Sequence, residues 1–351
     1  MQEIKIMHIF FDYICINLII CADRLYVGVR NLNAKRKNIF FFLRQSLAPK
    51  PSLTLPRAYD IIWAKQIRTL GGYIMIKSDW HIHSEYSYDA STPLETIAQN
   101  AMTQGLKLVG ITDHLNFNDK KFMGDLYASA NAVNEIQKKY PFMVLGIELT
   151  PIEKPEFDHI AKNGTRDGYI PPAQAEPFEI ELAATKEELK ALGVRYAIGA
   201  SHWRVDKPHA QSLAPDLNDC INEWYRQQMW LACDERVTIL GHPWFNGDGL
   251  WYEDFSVIPH SMNADIAAAL KENGKYVECN SHFFRAKLAT EKFKHQYAEY
   301  LREMYEMGIP VTYGSDSHSK YEDLRASTEY YLSAAGFSDG DISELSENAL
   351  W

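Results

Sequence analysis

Along residues 75–351, short apolar runs recur, each followed by a polar loop and then by a stretch with helical spacing. The runs are "IMIKSDW", "KLVGIT", "FMVLGIEL", "RYAIGAS", "VTILGH", "KYVECN" and "IPVTYGS". Two of the intervening stretches carry clear helix ends. In "STPLETIAQNAMTQG", Thr92 is placed to cap, Pro93 takes the first helical position, Glu95 sits three residues after the cap and Gly105 stops the helix. "TKEELKALG" repeats the device with Thr185, Glu188 and Gly193. Alternating strands and helices predict an α/β fold with a parallel sheet and right-handed crossovers. Seven repeats in this length favour a closed β/α barrel over an open doubly wound sheet. The absence of G-x-G-x-x-G and of G-x-x-x-x-G-K-[ST] after the strands points the same way. One segment breaks the rhythm. Residues 151–184 are longer than an ordinary strand–helix loop, and loops of that size often act as lids.

Residues 1–74 do not share this pattern. They carry 11 Lys/Arg and 4 Asp/Glu, whereas residues 75–351 carry 25 and 42. "IFFDYICINLIICA" is apolar but holds Asp12 and Asn17, and it is shorter than the ~20 residues of a membrane span. A secretory signal fits no better, because no basic region precedes the apolar stretch and no small-residue cleavage site follows it. The expectation is that translation starts at Met75 and that 1–74 is an untranslated or disordered leader. The rival is a membrane-associated N-terminal segment.

The net charge of −10 argues against a sequence-independent grip on nucleic acid or on an anionic membrane. Five cysteines without C-x-x-C spacing fit reduced thiols in a cytoplasmic protein. In a β/α barrel, side chains at the carboxyl ends of the strands converge on one face. Here those ends supply His81 and His83, with Asp89 in the following loop, then Asp113 and His114, and Glu148. Next come His202, His242, Asn280, and finally Asp316 with His318. Period-two alternation points His81 and His83 to one side, so a single cation can take both. A lone histidine after a strand is more often a loop or core residue, and a lone aspartate is commonly a helix cap. Six of seven strand ends with His, Asp or Glu is different, since such a cluster would be costly without cations and becomes favourable with them. His159, His209 and His282 remain candidate substrate contacts; His8, His260 and His295 read as surface residues.

The set "DWHIHS", "TDH", "GIE", "SHW", "GHP" and "GSDSH" resembles the PHP superfamily (polymerase and histidinol phosphatase) across residues 75–320. "GASHW", "VECNSHFFRAK" and "VTYGSDSHS" look most like its monofunctional histidinol-phosphatase branch. The resemblance implies a distorted (β/α)7 barrel whose strand ends hold two or three divalent metals. By motif, one metal would take His81, His83, Glu148 and Asp316; a second would share Glu148 and add His202 and His242. A third would take Asp89, His114 and His318. Mixed imidazole and carboxylate ligation suits Zn2+, Mn2+ or Fe2+.

The implied activity is hydrolysis of a small phosphomonoester by a metal-activated water. In that reading Glu148 sets the metal geometry, Asp113 orients a ligand, and Arg285, with Asn280, binds the phosphorylated substrate. Lys287 is a weaker candidate for the role of Arg285. Alternatives are a phosphoesterase acting on nucleotides or short nucleic-acid ends, a hydrolase of a non-phosphate bond, and a non-catalytic metal-binding regulatory module. The acidic balance disfavours polymeric substrates.

Overall fold

In a computed structural model of the chain, the described residues are 75–164, 170–171, 180–202, 217–245 and 249–351. The leader 1–74 lies outside them, as do residues 165–169 and 172–179 of the 151–184 segment.

Each of the seven apolar runs contains a strand, and these strands pair in parallel. The first run yields β1 only at its end, Asp79–Ile82, which places His81 inside the strand rather than after it. The second and third runs are each divided. Val109–Ile111 (β2) and His114–Leu115 (β3) flank Thr112 and Asp113, and Met143–Leu145 (β4) and Ile147–Leu149 (β5) flank Gly146. The remaining runs give β8 (Ala197–Gly199), β9 (Ile239–Leu240), β10 (Tyr276–Asn280) and β11 (Val311–Gly314). The strands form a three-stranded sheet, β1-β2-β4, and a six-stranded sheet, β11-β10-β9-β8-β5-β3. Backbone bonds cross the breaks: Gly146 N donates to Ile111 O (2.8 Å) and Glu148 N to Asp113 O (3.2 Å). At the other edge, Asp316 N donates to His81 O (2.8 Å) and His83 N to Ser317 O (3.0 Å).

At the second break, Gly146, a side chain distant in sequence packs against the backbone. Tyr196 is fully buried, donates from its hydroxyl to Trp80 O (2.5 Å), and fills the space beside two glycines. A Cβ at Gly110 would lie 1.8 Å from its hydroxyl oxygen, and one at Gly146 would lie 2.5 Å from its ring. Gly146→Ala is therefore expected to cost about 1–3 kcal/mol through overpacking, read as a lower urea midpoint at unchanged slope. A midpoint equal to the parent's would show that Tyr196 yields freely.

Helices cover the strands with apolar stripes. In Leu94–Gln104 (α1) the buried residues are Leu94, Ile97, Ala98 and Ala101, the spacing of one helical face. Lys120–Ile136 (α2), Leu217–Cys233 (α5), His260–Glu272 (α6), Glu291–Glu306 (α8) and Arg325–Ala334 (α9) bury comparable faces. Gly105 ends α1 in the left-handed region, φ 68°. Thr92 does not cap it: Pro93 holds that position, and the buried Thr92 hydroxyl has no hydrogen-bond partner. The Glu95 carboxylate is drawn instead to Lys139 and Tyr140, at 2.6 Å each. Thr185 and Glu188 do form the reciprocal cap of Lys186–Ala191 (α4). The 151–184 segment is not merely a loop. It holds Lys154–Asn163 (α3) and the antiparallel pair Ile152–Glu153 (β6) and Ile180–Glu181 (β7). Among the described residues, no helix is long and apolar enough to cross a membrane.

Candidate metal centre

Alternation along β10 sorts its side chains. Val277 and Cys279 face the helices' apolar core, whereas Tyr276 joins Trp80, Tyr196 and Ile198 in a second apolar cluster. Glu278 and Asn280 follow on the Tyr276 side and open a polar layer at the carboxyl ends of the strands. The candidate ligands meet there, around Glu148. Its Oε2 lies 3.1 Å from His81 Nε2, from His83 Nε2 and from His114 Nδ1. Its Oε1 lies 2.9 Å from His242 Nε2 and 3.3 Å from His202 Nε2. Asp316 Oδ1 approaches His83 Nε2 (3.4 Å) and His81 Nε2 (3.6 Å). Asp89 Oδ2 stands 3.3 Å from His114 Nε2 and 3.4 Å from His318 Nε2.

Three groups have ligand atoms within 4.8 Å of one another: His81, His83 and Asp316; His114, Glu148 and His202; and His83, Asp89, His114 and His318. His83 and His114 each belong to two groups, which cuts across the ligand sets implied by motif. Two of these side chains sit on backbone that non-glycine residues rarely adopt, Asp316 at φ 52° and His242 at φ 21°.

A carboxylate that sequence reasoning overlooked organises the layer. Glu278 Oε1 accepts from His81 Nδ1 (2.7 Å), and its Oε2 accepts from His242 N and from Asn280 Nδ2 (3.2 Å). Because a carboxylate only accepts, the neutral His81 ring carries its proton on Nδ1 and turns the Nε2 lone pair toward Glu148. The signal was present in the run "YVECN", where Glu278 shares a face with Asn280.

Electrostatically, the cluster suits cations. Burial opposes the charge of His81 and His83, yet surrounding carboxylates win. Glu278, Glu148 and Asp316 raise His81 well above the usual imidazole range. Asp316 and Glu148 beside it bring His83 to about 9. Burial likewise disfavours ionised Glu148 and Asp316, but the neighbouring imidazoles hold both well below the carboxylate range. His202 is pushed down to about 4 by burial. The buried Glu148 Oε2 accepts no hydrogen bond, and His114 Nδ1 and His242 Nδ1 likewise have no hydrogen-bond partner. A fully buried carboxylate oxygen left without a hydrogen bond is costly, and a divalent cation shared with the surrounding imidazoles removes that cost. The donor set therefore fits divalent metal.

Other candidates fall at the margins. Asp113 does not bond His114; its carboxylate accepts from Ser84 N (2.6 Å), Ser84 Oγ (2.8 Å) and Ser129 Oγ (2.6 Å), tying the backbone next to His83 to α2. Asn280 caps the short helix Ser281–Arg285 (α7) and donates to Asp316 Oδ2 (3.1 Å), so its amide is engaged with a candidate ligand. Arg285 is exposed at the end of α7, close enough to His282 to disfavour its charge, which burial already lowers. His159 lies on α3 beside Asn163, and His209 lies outside the described residues.

Comparison with known proteins bears on the fold and the family. A probable phosphatase of Acetivibrio thermocellus is 36% identical over 67 residues, 19% of this chain and 27% of that relative. The chain thus matches about a quarter of that relative's length. The structure of a histidinol phosphate phosphatase from Lactococcus lactis subsp. lactis, complexed with zinc, L-histidinol and phosphate, superposes with a TM-score of 0.53. Its identity is 17%, over 76% of this chain and 98% of that one, a likeness of fold. The sequence model of the PHP domain matches residues 79–282, more than half of the chain, from the strand bearing His81 to the helix that follows Asn280. The chain belongs to the PHP domain family.

Proposed function

We propose that this protein is a metal-dependent phosphoesterase that hydrolyses a small phosphomonoester, with histidinol phosphate as the first substrate to test. One observation carries the reading: buried Glu148 Oε2 accepts no hydrogen bond, although three imidazole nitrogens lie 3.1 Å away. The proposed ligands are His81, His83, Asp89, His114, Glu148, His202, His242, Asp316 and His318. When bound, two or three divalent cations would polarise phosphoryl oxygens and make a water acidic near neutral pH. The mixed imidazole and carboxylate donors suit Zn2+, Mn2+ or Fe2+, and zinc is the first to test because the similar histidinol phosphate phosphatase structure holds it. We also read the strands as a distorted (β/α)7 barrel, which the bonds from Asp316 and Ser317 back to His81 and His83 support.

The chain's own residues have separable tasks in this reading. Glu278 fixes the His81 ring, Asn280 orients Asp316, and Asp113 anchors the turn after His83. Arg285, at the exposed end of α7, would pair with the phosphoryl group through charge-assisted hydrogen bonds. Such bonds contribute about 1.5–3 kcal/mol. Arg285→Ala is therefore expected to raise KM roughly 10- to 100-fold with kcat little changed, the mark of lost ground-state binding. An unaltered KM would take Arg285 out of the site. The decisive test of the function is metal analysis of the purified protein with a phosphomonoester panel including L-histidinol phosphate and nucleotides. Selective release of phosphate from histidinol phosphate supports the narrow reading; preference for nucleotides replaces it, and no turnover of any member by metal-loaded protein overturns it.

A further inference from the structure

A buried hydroxyl that is not itself among the proposed ligands controls the ring of His202. Thr150 directly follows β5 and is wholly buried; Asn116, just after β3, is buried too. Thr150 Oγ1 donates to Asn116 Oδ1 (2.7 Å) and lies 2.9 Å from His202 Nδ1. At its other end the Asn116 amide donates from Nδ2 to Tyr88 Oη (3.4 Å). With Oδ1 of the amide toward Thr150, proton counting leaves one arrangement. A hydroxyl has a single proton, and a carbonyl oxygen can only accept, so the Thr150 proton is committed to Asn116. His202 Nδ1 must be the donor in the remaining bond. Its Nε2 is consequently bare, and that atom is the one 3.3 Å from Glu148 Oε1.

We propose that Thr150, backed by Asn116, is a positioning residue that locks His202 in the tautomer whose Nε2 lone pair faces the Glu148 cluster. The proposal rests on the metal reading above and adds a determinant of cation affinity to it. The device parallels the one at His81, with a neutral relay in place of the Glu278 carboxylate.

The test is Zn2+ affinity, measured against a competing chelating indicator, together with thermal unfolding of the metal-free proteins. Thr150→Val is expected to weaken one Zn2+ site roughly 10- to 100-fold, the usual effect of losing a partner that orients a ligand. Thr150→Ser should restore it, because the hydroxyl returns. Asn116→Leu provides an independent arm that leaves the His202 contact in place. Freed from Asn116, the Thr150 proton can turn to His202 Nδ1, move the ring proton to Nε2 and weaken the same site. Metal-free midpoints of Thr150→Val and Thr150→Ser should differ by less than their affinities imply. Equal Zn2+ affinity in the parent and Thr150→Val, or failure of Thr150→Ser to restore it, overturns the proposal alone. A parent protein that takes up no stoichiometric Zn2+ overturns the metal reading, and this proposal with it.

Discussion

Glu148→Gln is expected to lower phosphomonoester turnover at least about a thousandfold and to reduce the metal content of the purified protein. The side chain's two oxygens reach five imidazoles, so no other residue links as many of the proposed ligands. An amide keeps the size but loses the charge, and it turns one acceptor into a donor aimed at bare nitrogens. Metal stabilisation of transition-state charge amounts to several kcal/mol, and each 1.36 kcal/mol is tenfold in rate, hence the magnitude. Circular dichroism should still show the parent's helical content, because the apolar layers below the site do not involve Glu148. Turnover within about tenfold of the parent, in a variant shown to be folded, would remove Glu148 from the centre of the chemistry.

Chelation should destabilise the protein, and by more at pH 9 than at pH 6. A ligand present at a thousand times its dissociation constant stabilises by about 4 kcal/mol. For a chain of this size that is roughly 6 °C in Tm. The pH dependence follows from the metal-free cluster. His81 and His83 are raised above the ordinary imidazole value, His83 to about 9. Their protonated forms support the metal-free fold fully below about pH 6.5, and that support is lost as pH rises through 9. Metal binding has the opposite slope, since each imidazole must shed its proton before it can ligate. The gap between loaded and chelated midpoints therefore widens from pH 6 to pH 9 and flattens beyond. Scanning calorimetry with and without a strong chelator measures it. A gap that narrows with rising pH would show that the imidazoles are not the ligands.

Much of the centre was legible because its residues interrupt apolar runs at the ends where a parallel sheet gathers them. A charge or imidazole at the end of one strand says little; the same event at nearly every strand end points to cations. Glu278 escaped because it lies inside its run, where the flanking valine and cysteine make a core strand the natural reading, although Asn280 two residues on shares its face. The helix in the 151–184 segment was hidden by local chemistry. Its N-cap is Glu153, which with Glu156 forms a capping box, and glutamate is not among the residues that usually announce a helix start. The division of 143–149 could not be read locally, since the glycine at its break lies against Tyr196, far along the chain. The same holds for Thr150, whose meaning depends on Asn116 and His202 arriving beside it.

The wedge formed by Tyr196 between Gly110 and Gly146 also limits how this sequence can change over time. A methyl group can enter at 110 or 146 only after the phenol at 196 has shrunk, and shrinking the phenol first opens a void beneath the polar layer. Neither order of substitution leaves the packing intact, so the three positions constrain one another and a tolerated change at any of them calls for a compensating one.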